Sequence, residues 1–452
     1  MPLTLPVDSI HAARHALQSG EMAPGDLIAS TLDRIRALNP RLNAYLEVFD
    51  PPERSADLDR PLGGIPIAVK DLIDVAGRRT TAGSTFLADN VADEDAAVVK
   101  KLRAAGAVLV GKTHLHEWAH GTTNDNPHFG PCRNPWDLER VSGGSSGGSA
   151  VTIAAGLCLG ALGTDTGGSI RIPASLCAVV GLKPTRGRVS LRGVVPLSWS
   201  LDHVGPMART VRDTAILLQA IAGYDPEDTA SIDMPVPDYA ENLDGEVGLR
   251  GARIGVPKTF FFEEAEPEVI EAVRAAIAVL RDLGGTIVEV DLREAAELAK
   301  ATGVILLADA AALHRERFES QPEKFGPDVL DRIKAGRAFT ATDYALAKHA
   351  QRRWKHQLGK VFASLDALAT PTTPIAAPRI DEPEAGARLP CFTRPFNLAG
   401  TPAISMPCGF VSGGRLPIGM QLVAKWWDEA TLLRVAHAYE QAAEWHLRKP
   451  PL

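Results

Sequence analysis

Residues 142–184 read SGGSSGGSAVTIAAGLCLGALGTDTGGSIRIPASLCAVVGLKP. Two turns rich in glycine and serine, at 142–149 and 164–169, flank small apolar residues with helix-like spacing. SGGSSGGS by itself is typical of a flexible linker. Ordering two such turns around a buried segment costs conformational entropy, and glycine there indicates that the backbone must approach something closely. The stretch therefore predicts a functional site within a folded core.

Outward from this stretch, helix-like and strand-like segments alternate along the chain. Helices are predicted at 8–19, at 25–38 where Asn39-Pro40 ends the helix, at 94–105, within 266–285, and from Asp428 to about Trp445. Strands are predicted at 42–49, 63–75, 107–110, 252–257, 286–290, 366–370, 403–409 and 418–424. Ser412-Gly413-Gly414 predicts a hairpin between the last two strands. No long linker interrupts this alternation, which favours one large α/β layer structure.

The composition is that of an ordinary globular protein. The 452 residues are 45% hydrophobic and 23% charged, which excludes a disordered or fibrous chain. The 48 basic and 55 acidic residues give a net charge of −7, and no basic run stands out. A nucleic-acid-binding protein normally shows a basic surplus or stripe. The charge therefore favours an enzyme with a small-molecule substrate and no nucleic acid partner.

The cysteines and the N-terminal residues predict a cytoplasmic protein. The five cysteines are an odd number at wide spacings without a C-x-x-C pair, which argues against a disulfide framework or a zinc site. MPLTLPVDSIHAARHALQSG lacks a charged leader followed by an apolar stretch. The longest uncharged run of small and apolar residues, 150–164, is shorter than the ~20 residues that cross a bilayer. We expect no membrane partner.

Two further patterns are typical of ligand sites, but their context disfavours them. Residues 106–113, GAVLVGKT, match the phosphate-binding pattern G-x-x-x-x-G-K-[ST], yet the four intervening residues are an apolar strand that follows a helix. A backbone engaged in a sheet cannot surround a phosphate. His116 and His120 have the spacing of metal ligands on a helix, but H-E-x-x-H is absent and a partly buried helix start explains them. We therefore expect neither a cofactor nor a metal.

The turn at 164–169, TDTGGS, has the composition of an acyl-transfer site. Consecutive N–H groups in such a turn can converge on one point and bind an anion. Ser169 at its end would place a hydroxyl beside that point, so that attack and oxyanion stabilisation come from one turn. A serine nucleophile also needs a base, and the chain has no G-x-S-x-G elbow of the kind that positions a Ser-His-Asp triad.

Lys70 closes the apolar segment IPIAV and is a candidate for the base. Burial at the end of an apolar strand would lower its pKa from ~10.4 toward the ~7–8 that suits a general base. A lysine that protects an edge strand from aggregation fits the same position. The spacing leaves both interpretations open.

These segments resemble the amidase signature family. The resemblance is carried by GGIPIAVKD, GGSSGGSA and GTDTGGSIRIPASLCAVVGLKP, and it continues through KTHLHEWAHGTTNDNPHFGPCRNPWD, LDHVGPMARTVRD and NLAGTPAISMPCG to cover nearly the whole chain. It implies a single amidase domain over residues 1–452, in which a central mixed, twisted β-sheet is covered by helices on both sides. The implied layout places N-terminal helices at about 8–60 and the signature core at about 61–210.

The resemblance also implies a catalytic triad. The family's Ser–cis-Ser–Lys triad falls on Ser169, Ser145 and Lys70, and Ser145 is expected to follow a cis peptide bond. In the implied mechanism, neutral Lys70 takes a proton from Ser145, which takes one from Ser169 as Ser169 attacks the amide carbonyl. Water then hydrolyses the acyl-enzyme.

Three further groups of residues are implied around this triad. The oxyanion hole is expected from the amides of Thr166, Gly167, Gly168 and Ser169. The residues expected to support the site are Ser146, Asp165 and Arg171. The substrate pocket is expected to be lined by Gly121, Thr122, Thr123 and Asn124, together with segments within 300–345.

Three functions fit this resemblance. The first is a stand-alone amidase for a small carboxamide, with a homodimer left open. The second is the A-subunit of a glutamyl-tRNA amidotransferase, which works only with partner chains. The third is an ester, urea or carbamate hydrolase of the same fold.

The segment LPCFTRPFNLAG bears on the second function. In the amidotransferase A-subunits, an acidic residue a few positions before NLAG resembles a clamp for the α-amino group of glutamine. Here 389–395 contains no Asp or Glu and has Arg394 instead, whereas RIKAG at 332–336 resembles the RIxxG segment of those subunits. The sequence therefore favours a stand-alone amidase, and it leaves Arg394 open as a substrate contact or a surface residue.

Overall fold

The computed structural model describes residues 5–49, 57–243, 248–411 and 413–452. Its strands are β1 (Tyr45–Val48), β2 (Pro66–Lys70), β3 (Val108–Thr113), β4 (Asp125–Asn126), β5 (Gly130–Pro131), β6 (Arg133–Asn134), β7 (Asp137–Val141), β8 (Gly160–Thr164), β9 (Val180–Lys183), β10 (Val204–Ala208), β11 (Arg253–Pro257), β12 (Thr286–Val290), β13 (Ala367–Pro371), β14 (Ala403–Val411) and β15 (Leu416–Val423). Eleven of them form one sheet in the order β1-β3-β2-β8-β10-β9-β14-β15-β13-β11-β12. The sheet is mixed, as predicted, because β2 runs parallel to β3 and β8 whereas β10 runs antiparallel to β8 and β9.

Helices cover both faces of this sheet, as predicted. They are α1 (Ile10–Gln18), α2 (Pro24–Leu42), α3 (Ala97–Ala104), α4 (Gly147–Ala154), α5 (Arg171–Cys177), α6 (Val211–Ile221), α7 (Pro267–Asp282), α8 (Ala295–Leu313), α9 (Arg315–Ser320), α10 (Pro327–Arg337), α11 (Ala341–Val361), α12 (Arg394–Ala399) and α13 (Glu429–Ala443). Successive side chains of a strand point to opposite faces. Ile67 and Val69 of β2 pack in one apolar cluster with α6, and Ala68 packs in another with α4.

Two local predictions from the sequence differ from the structure. The helix α2 does not end at Asn39-Pro40 but continues to Leu42. Pro40 lies in the last turn, where it removes only the hydrogen bond of its own nitrogen, and Asn43 in the left-handed conformation ends the helix. The strand predicted at 63–75 is shorter, because only Pro66–Lys70 pairs within the sheet.

Other predicted elements are confirmed. The strands β14 and β15 pair as an antiparallel hairpin, although Ser412 of the predicted turn lies outside the described residues. The GAVLVGKT segment forms β3, and the Lys112 ammonium lies 3.2 Å from the Asp71 carboxylate inside the protein. The limits 8–60 and 61–210 within the domain stay a prediction. In the described part of the chain, no helix has the length and apolar character needed to cross a membrane.

The topology brings three separate segments to one place. The strands β2 and β8 are parallel neighbours, with Val69 opposite Leu162, so their carboxyl ends lie side by side. Lys70 ends β2, and the 164–169 turn leaves the end of β8. The residues between β7 and α4 contain Ser145. The carboxyl ends of parallel strands are where open α/β sheets usually bind their ligands.

Candidate active site

Lys70 is fully buried and has hydroxyl groups as its hydrogen-bond partners. Its Nζ lies 2.7 Å from Ser145 Oγ, 3.0 Å from Ser146 Oγ and 2.8 Å from Thr164 Oγ1. Burial lowers the pKa of Lys70 well below its ordinary value, and nearby acidic residues oppose this only in part. The strand β2 lies between β3 and β8, so the edge-strand interpretation of Lys70 does not apply.

Ser145 and Ser146 differ in the hydrogen bonds that their hydroxyl groups form. Ser146 Oγ donates to the Thr164 carbonyl at 3.1 Å and accepts the Thr164 N–H at 3.2 Å. Ser145 Oγ has Lys70 as its hydrogen-bond partner, and the peptide bond from Gly144 to Ser145 is cis. The Ser145 proton is therefore the one that a neutral Lys70 can accept without breaking another hydrogen bond.

Ser169 ends the second turn beside this pair. Ser146 donates its backbone N–H to the Ser169 carbonyl at 3.1 Å, which fixes the two turns against each other. The Ser169 hydroxyl forms no hydrogen bond with the described residues, and the side chain lines a cleft. This hydroxyl is free to attack a bound carbonyl.

The backbone of the second turn offers N–H donors next to Ser169. The amides of Thr166, Gly167 and Ser169 have no hydrogen-bond partner in the ranges that the structure describes. Gly168 differs, because its N–H donates to Asp165 Oδ1 at 2.8 Å. The expected contribution of Gly168 to an oxyanion hole is corrected for this reason. Gly168 serves the turn through its positive φ of 134°, where an added Cβ would collide with its neighbours.

A buried ion pair holds this turn. Arg171 donates through Nε to Asp165 Oδ2 and through Nη2 to Asp165 Oδ1, each at 3.0 Å. Burial by itself would raise the pKa of Asp165, but the Arg171 guanidinium outweighs it and holds the pKa below its ordinary value. Arg171 also donates to Gln421 Oε1 and Asn397 Oδ1, both at 2.6 Å. The turn is thereby tied to β15 and α12.

A cleft of about 250 Å³ opens over Ser169. Its wall is formed by Ala119, His120, Gly121, Thr122, Thr166, Gly167, Ser169, Leu197, Gly303, Leu306, Leu307, Arg332, Ala387, Pro390 and Arg394. The helices α8 and α10 supply four of these residues, which agrees with the expected contribution of 300–345. Gly121 and Thr122 also lie where the resemblance placed them.

Thr123 and Asn124 do not line the cleft, and these two expectations are corrected. Asn124 is fully buried, and its Nδ2 lies 3.3 Å from His114 Nδ1. The Thr123 hydroxyl accepts the N–H of Asp125 at 3.4 Å. Both side chains are thus engaged by neighbouring protein groups instead of facing the cleft.

Three further polar residues of the cleft wall were not named as pocket residues: His120 had no assignment, Arg332 lies within the expected segments of 300–345, and Arg394 was left open as a substrate contact or a surface residue. An arginine on a helix is typical of a surface, and a histidine near others is typical of a partly buried loop. The similarity of RIKAG to a known segment was the one signal for Arg332. Arg394 carried no signal beyond its unusual place before NLAG, so tertiary packing was needed to find it.

Contrary to the prediction from the sequence, His116 and His120 do not lie at the start of an α-helix. A single 3₁₀ turn, Glu117–Ala119, separates His116 from His120. His116 Nε2 lies 2.8 Å from Asp328 Oδ2, while both ring nitrogens of His120 lack a hydrogen-bond partner. In the part of the chain that the structure describes, no group of three His, Cys, Asp or Glu side chains is placed to hold a metal ion.

Comparison with known proteins agrees with this geometry. Residues 26–433 match the family model named Amidase. The chain belongs to the amidase family. It is 44% identical to the glutamyl-tRNA(Gln) amidotransferase A-subunit of Roseiflexus sp. (strain RS-1), over 97% of each protein. Family membership makes the protein an enzyme that acts on C–N amide bonds, as the motifs predicted.

Two solved structures share the fold of this chain over nearly their whole length. The glutamyl-tRNA(Gln) amidotransferase A-subunit of Thermotoga maritima superposes with a TM-score of 0.85 at 36% identity, covering 96% of this chain and 94% of that one. The native peptide amidase of Stenotrophomonas maltophilia superposes with a TM-score of 0.85 at 33% identity, covering 100% of this chain and 99% of that one.

The relatives correct the expected partners of this amidase. The sequence predicted a small-molecule substrate, no nucleic acid and at most a homodimer. Relatives between 40% and 44% identical are named as one subunit of an amidotransferase, with a tRNA in the name, and this contradicts that expectation. The prediction from net charge was wrong because the net charge is a sum over the whole chain. It does not show which chain of an assembly contacts a nucleic acid.

Proposed function

We propose that this amidase is the amide-hydrolysing subunit of an amidotransferase, and that it works through Ser169, Ser145 and Lys70. The identity to relatives of that name supports the subunit role over a stand-alone amidase. The observation that carries the chemistry is the 2.7 Å contact between Lys70 Nζ and Ser145 Oγ. This lysine is buried among hydroxyl groups, so its neutral form is favoured.

Acylation begins with Lys70 as a neutral amine. Lys70 accepts the Ser145 proton while Ser145 accepts the Ser169 proton, and Ser169 Oγ bonds to the carbonyl carbon of the amide. The carbonyl oxygen becomes an oxyanion. The free N–H groups of Thr166, Gly167 and Ser169 stabilise that charge in a site with little water.

The tetrahedral intermediate then collapses as the C–N bond breaks. The proton on Lys70 returns through Ser145 to the nitrogen, which leaves as ammonia or an amine while Ser169 remains an ester. Water attacks this ester and gives a proton to the same relay. The acid leaves as Ser169 regains its proton, so the enzyme ends in its starting state.

The nucleophile is tested by competition for the acyl-enzyme. With a primary carboxamide and hydroxylamine, the wild-type protein should form both the acid and the hydroxamate, because water and hydroxylamine attack the same ester. Ser169→Ala should form neither product, whereas the exposed control Ser364→Ala should form both. Hydroxamate formation by Ser169→Ala would overturn the assignment.

The subunit role is tested separately. The tagged protein is purified from its own cells and analysed by native mass spectrometry. Its mass should be that of an assembly with other polypeptides, which would use the ammonia that this chain releases. Recovery of the chain alone, with undiminished amide hydrolysis, would overturn the subunit role and leave the triad in place.

We also propose that the protein works in a reducing compartment such as the cytoplasm. Cys132, Cys158, Cys177, Cys391 and Cys408 are all free thiols. Free buried cysteines are typical of proteins that fold where thiols stay reduced.

A further inference from the structure

Arg394 lies in the cleft wall as a cation without a hydrogen-bond or ion-pair partner among the described residues. A Cβ added to Gly167 would lie 3.7 Å from Arg394 Cγ and 3.9 Å from its Nε, so the side chain packs on the nucleophile turn. The Nε is shielded from solvent and has no hydrogen-bond partner, and no described carboxylate pairs with this guanidinium. The residue as a whole is only partly buried, so its guanidinium can meet a ligand in the cleft, and an anion there would give the shielded Nε its missing partner.

A second guanidinium, that of Arg332 on α10, lies in the same wall. Its Nη1 donates to the His120 carbonyl at 2.6 Å and to Asp328 Oδ2 at 2.5 Å. Asp328 is shared with His116, whose Nε2 lies 2.8 Å away. The Nε and Nη2 of Arg332 have no partner within the described ranges, so they remain available to a ligand.

The two guanidinium groups influence each other. Burial lowers the pKa of Arg394, the Cys391 thiol opposes this, and the positive charge of Arg332 adds to it. The two cations are therefore close enough to repel, and an anion between them would relieve both the repulsion and the missing hydrogen bonds.

The rest of the cleft wall carries no negative charge. Its one other titratable side chain among the described residues is His120, and burial holds the pKa of His120 well below its ordinary value, which keeps it neutral. The large apolar side chains of the wall are Leu197, Leu306 and Leu307. An ammonium group here would face two cations, because the one nearby carboxylate described above, Asp328, lies outside the wall and is already paired with Arg332 and His116. A carboxylate would instead meet two guanidinium groups.

We propose that the amide cleaved in this cleft is the monoamide of a short dicarboxylic acid, and that its carboxylate pairs with Arg394. Because Arg394 packs on the turn that ends at Ser169, this carboxylate lies only a few bonds from the acyl carbon. The leucines accommodate the methylene groups between the two ends. This substrate class rests on the proposed function, since it requires Ser169 chemistry in the same cleft.

The substrate class is tested with pairs of amides of equal carbon number. The pairs are malonamate with propanamide, succinamate with butanamide, and glutaramate with pentanamide. The rate of ammonia release gives kcat/KM for each amide. We expect the best monoamide to exceed its neutral counterpart by about 10- to 100-fold, mainly through KM, as charge-assisted hydrogen bonds allow. Glutamine, which differs from glutaramate by its ammonium group, should fall at least about tenfold below glutaramate.

The role of Arg394 is tested with Arg394→Met, which keeps the length of the side chain and removes its charge. This variant should lose the preference for the monoamide, and Arg394→Lys should keep part of it. The control is Arg388→Met, an exposed arginine on the same segment that does not line the cleft. Unchanged preference in Arg394→Met would overturn the pairing.

The wild-type comparison decides the substrate class even if Arg394→Met does not fold. A wild-type protein that treats monoamides and neutral amides alike would overturn the proposal. Failure of the proposed function has a different signature, since amide hydrolysis would then persist in Ser169→Ala whatever the charge of the substrate.

Discussion

Lys70 ends β2, Lys112 is the last residue but one of the parallel neighbour β3, and both are fully buried. Lys112 Nζ donates to Thr80 Oγ1 at 2.8 Å and lies 3.2 Å from Asp71 Oδ1. Lys70 contacts the hydroxyls of serine and threonine, and no carboxylate of the described residues lies at hydrogen-bond distance from it. Burial lowers the pKa of both lysines, but Asp71 opposes this shift at Lys112 through direct contact. The partner, more than burial, decides whether a lysine keeps its proton or can give it up.

The largest effect expected from this comparison is the loss of activity in Lys70→Arg. A guanidinium stays protonated and cannot act as a base, so kcat/KM should fall by about 10³- to 10⁴-fold. In the wild type, kcat/KM should rise with pH as Lys70 loses its proton and then level off. A pH–rate profile of both proteins measures this.

The control for that experiment is Lys258→Arg, which changes an exposed lysine paired with Glu289. It should keep both the rate and the pH profile of the wild type. Substantial activity in Lys70→Arg, with the pH dependence of the wild type, would mean that the base lies elsewhere.

A second prediction concerns Lys112, whose role is in stability. Lys112→Met leaves the Asp71 carboxylate buried without its cation, and breaking such a pair should lower the free energy of unfolding by about 3 kcal/mol. Urea denaturation measures this loss. The double variant Lys112→Met with Asp71→Asn should recover part of it, because the uncompensated charge is then gone. Equal losses in the single and double variants would show that the charge of Asp71 is not the cause.

Much of the site near Lys70 was predictable because local sequence specifies it. An apolar run ending in lysine predicts a buried strand with an amine at its end, and TDTGGS predicts a turn whose amides converge beside Ser169. The part played by Gly168 was not predictable, because its amide is used by a side chain, Asp165, whose direction is set by the ion pair with Arg171.

The cleft wall was far less predictable. Arg332 and Arg394 come from two helices that meet Ser169 only through tertiary packing. Apart from the similarity of RIKAG to a known segment, the local sequence does not distinguish them from surface arginines. The prediction that Thr123 and Asn124 line the pocket was wrong for a different reason. They directly follow two residues that do line the cleft, but the Asn124 side chain is fully buried and the Thr123 hydroxyl accepts a hydrogen bond from Asp125.

A third prediction separates Ser145 from Ser146, the two serines that contact Lys70. Ser145→Ala removes the relay and should lower kcat by about 10²-fold, which is less than the loss expected for Ser169→Ala. Ser146→Ala removes hydrogen bonds to Thr164 and should cost about 1 kcal/mol of stability, with less than about tenfold change in kcat. Steady-state kinetics and urea denaturation of both variants measure the contrast. A larger loss of kcat in Ser146→Ala would assign the relay to Ser146.

The smallest effect expected is a change in how stability depends on pH. Because the pKa of Lys70 is lower in the folded protein than its ordinary value of 10.5, unfolding takes up a proton between these two values. The free energy of unfolding contributed by Lys70 therefore rises with pH in that window, and Lys70→Met lacks this rise. The stability of Lys70→Met relative to the wild type should fall by up to about 1.4 kcal/mol per pH unit there. The other buried lysines contribute equally to both proteins, so urea denaturation at several pH values isolates Lys70, with Lys258→Met expected to parallel the wild type. Parallel curves for Lys70→Met and the wild type would mean that Lys70 keeps its proton when folded, and the proposed base would be wrong.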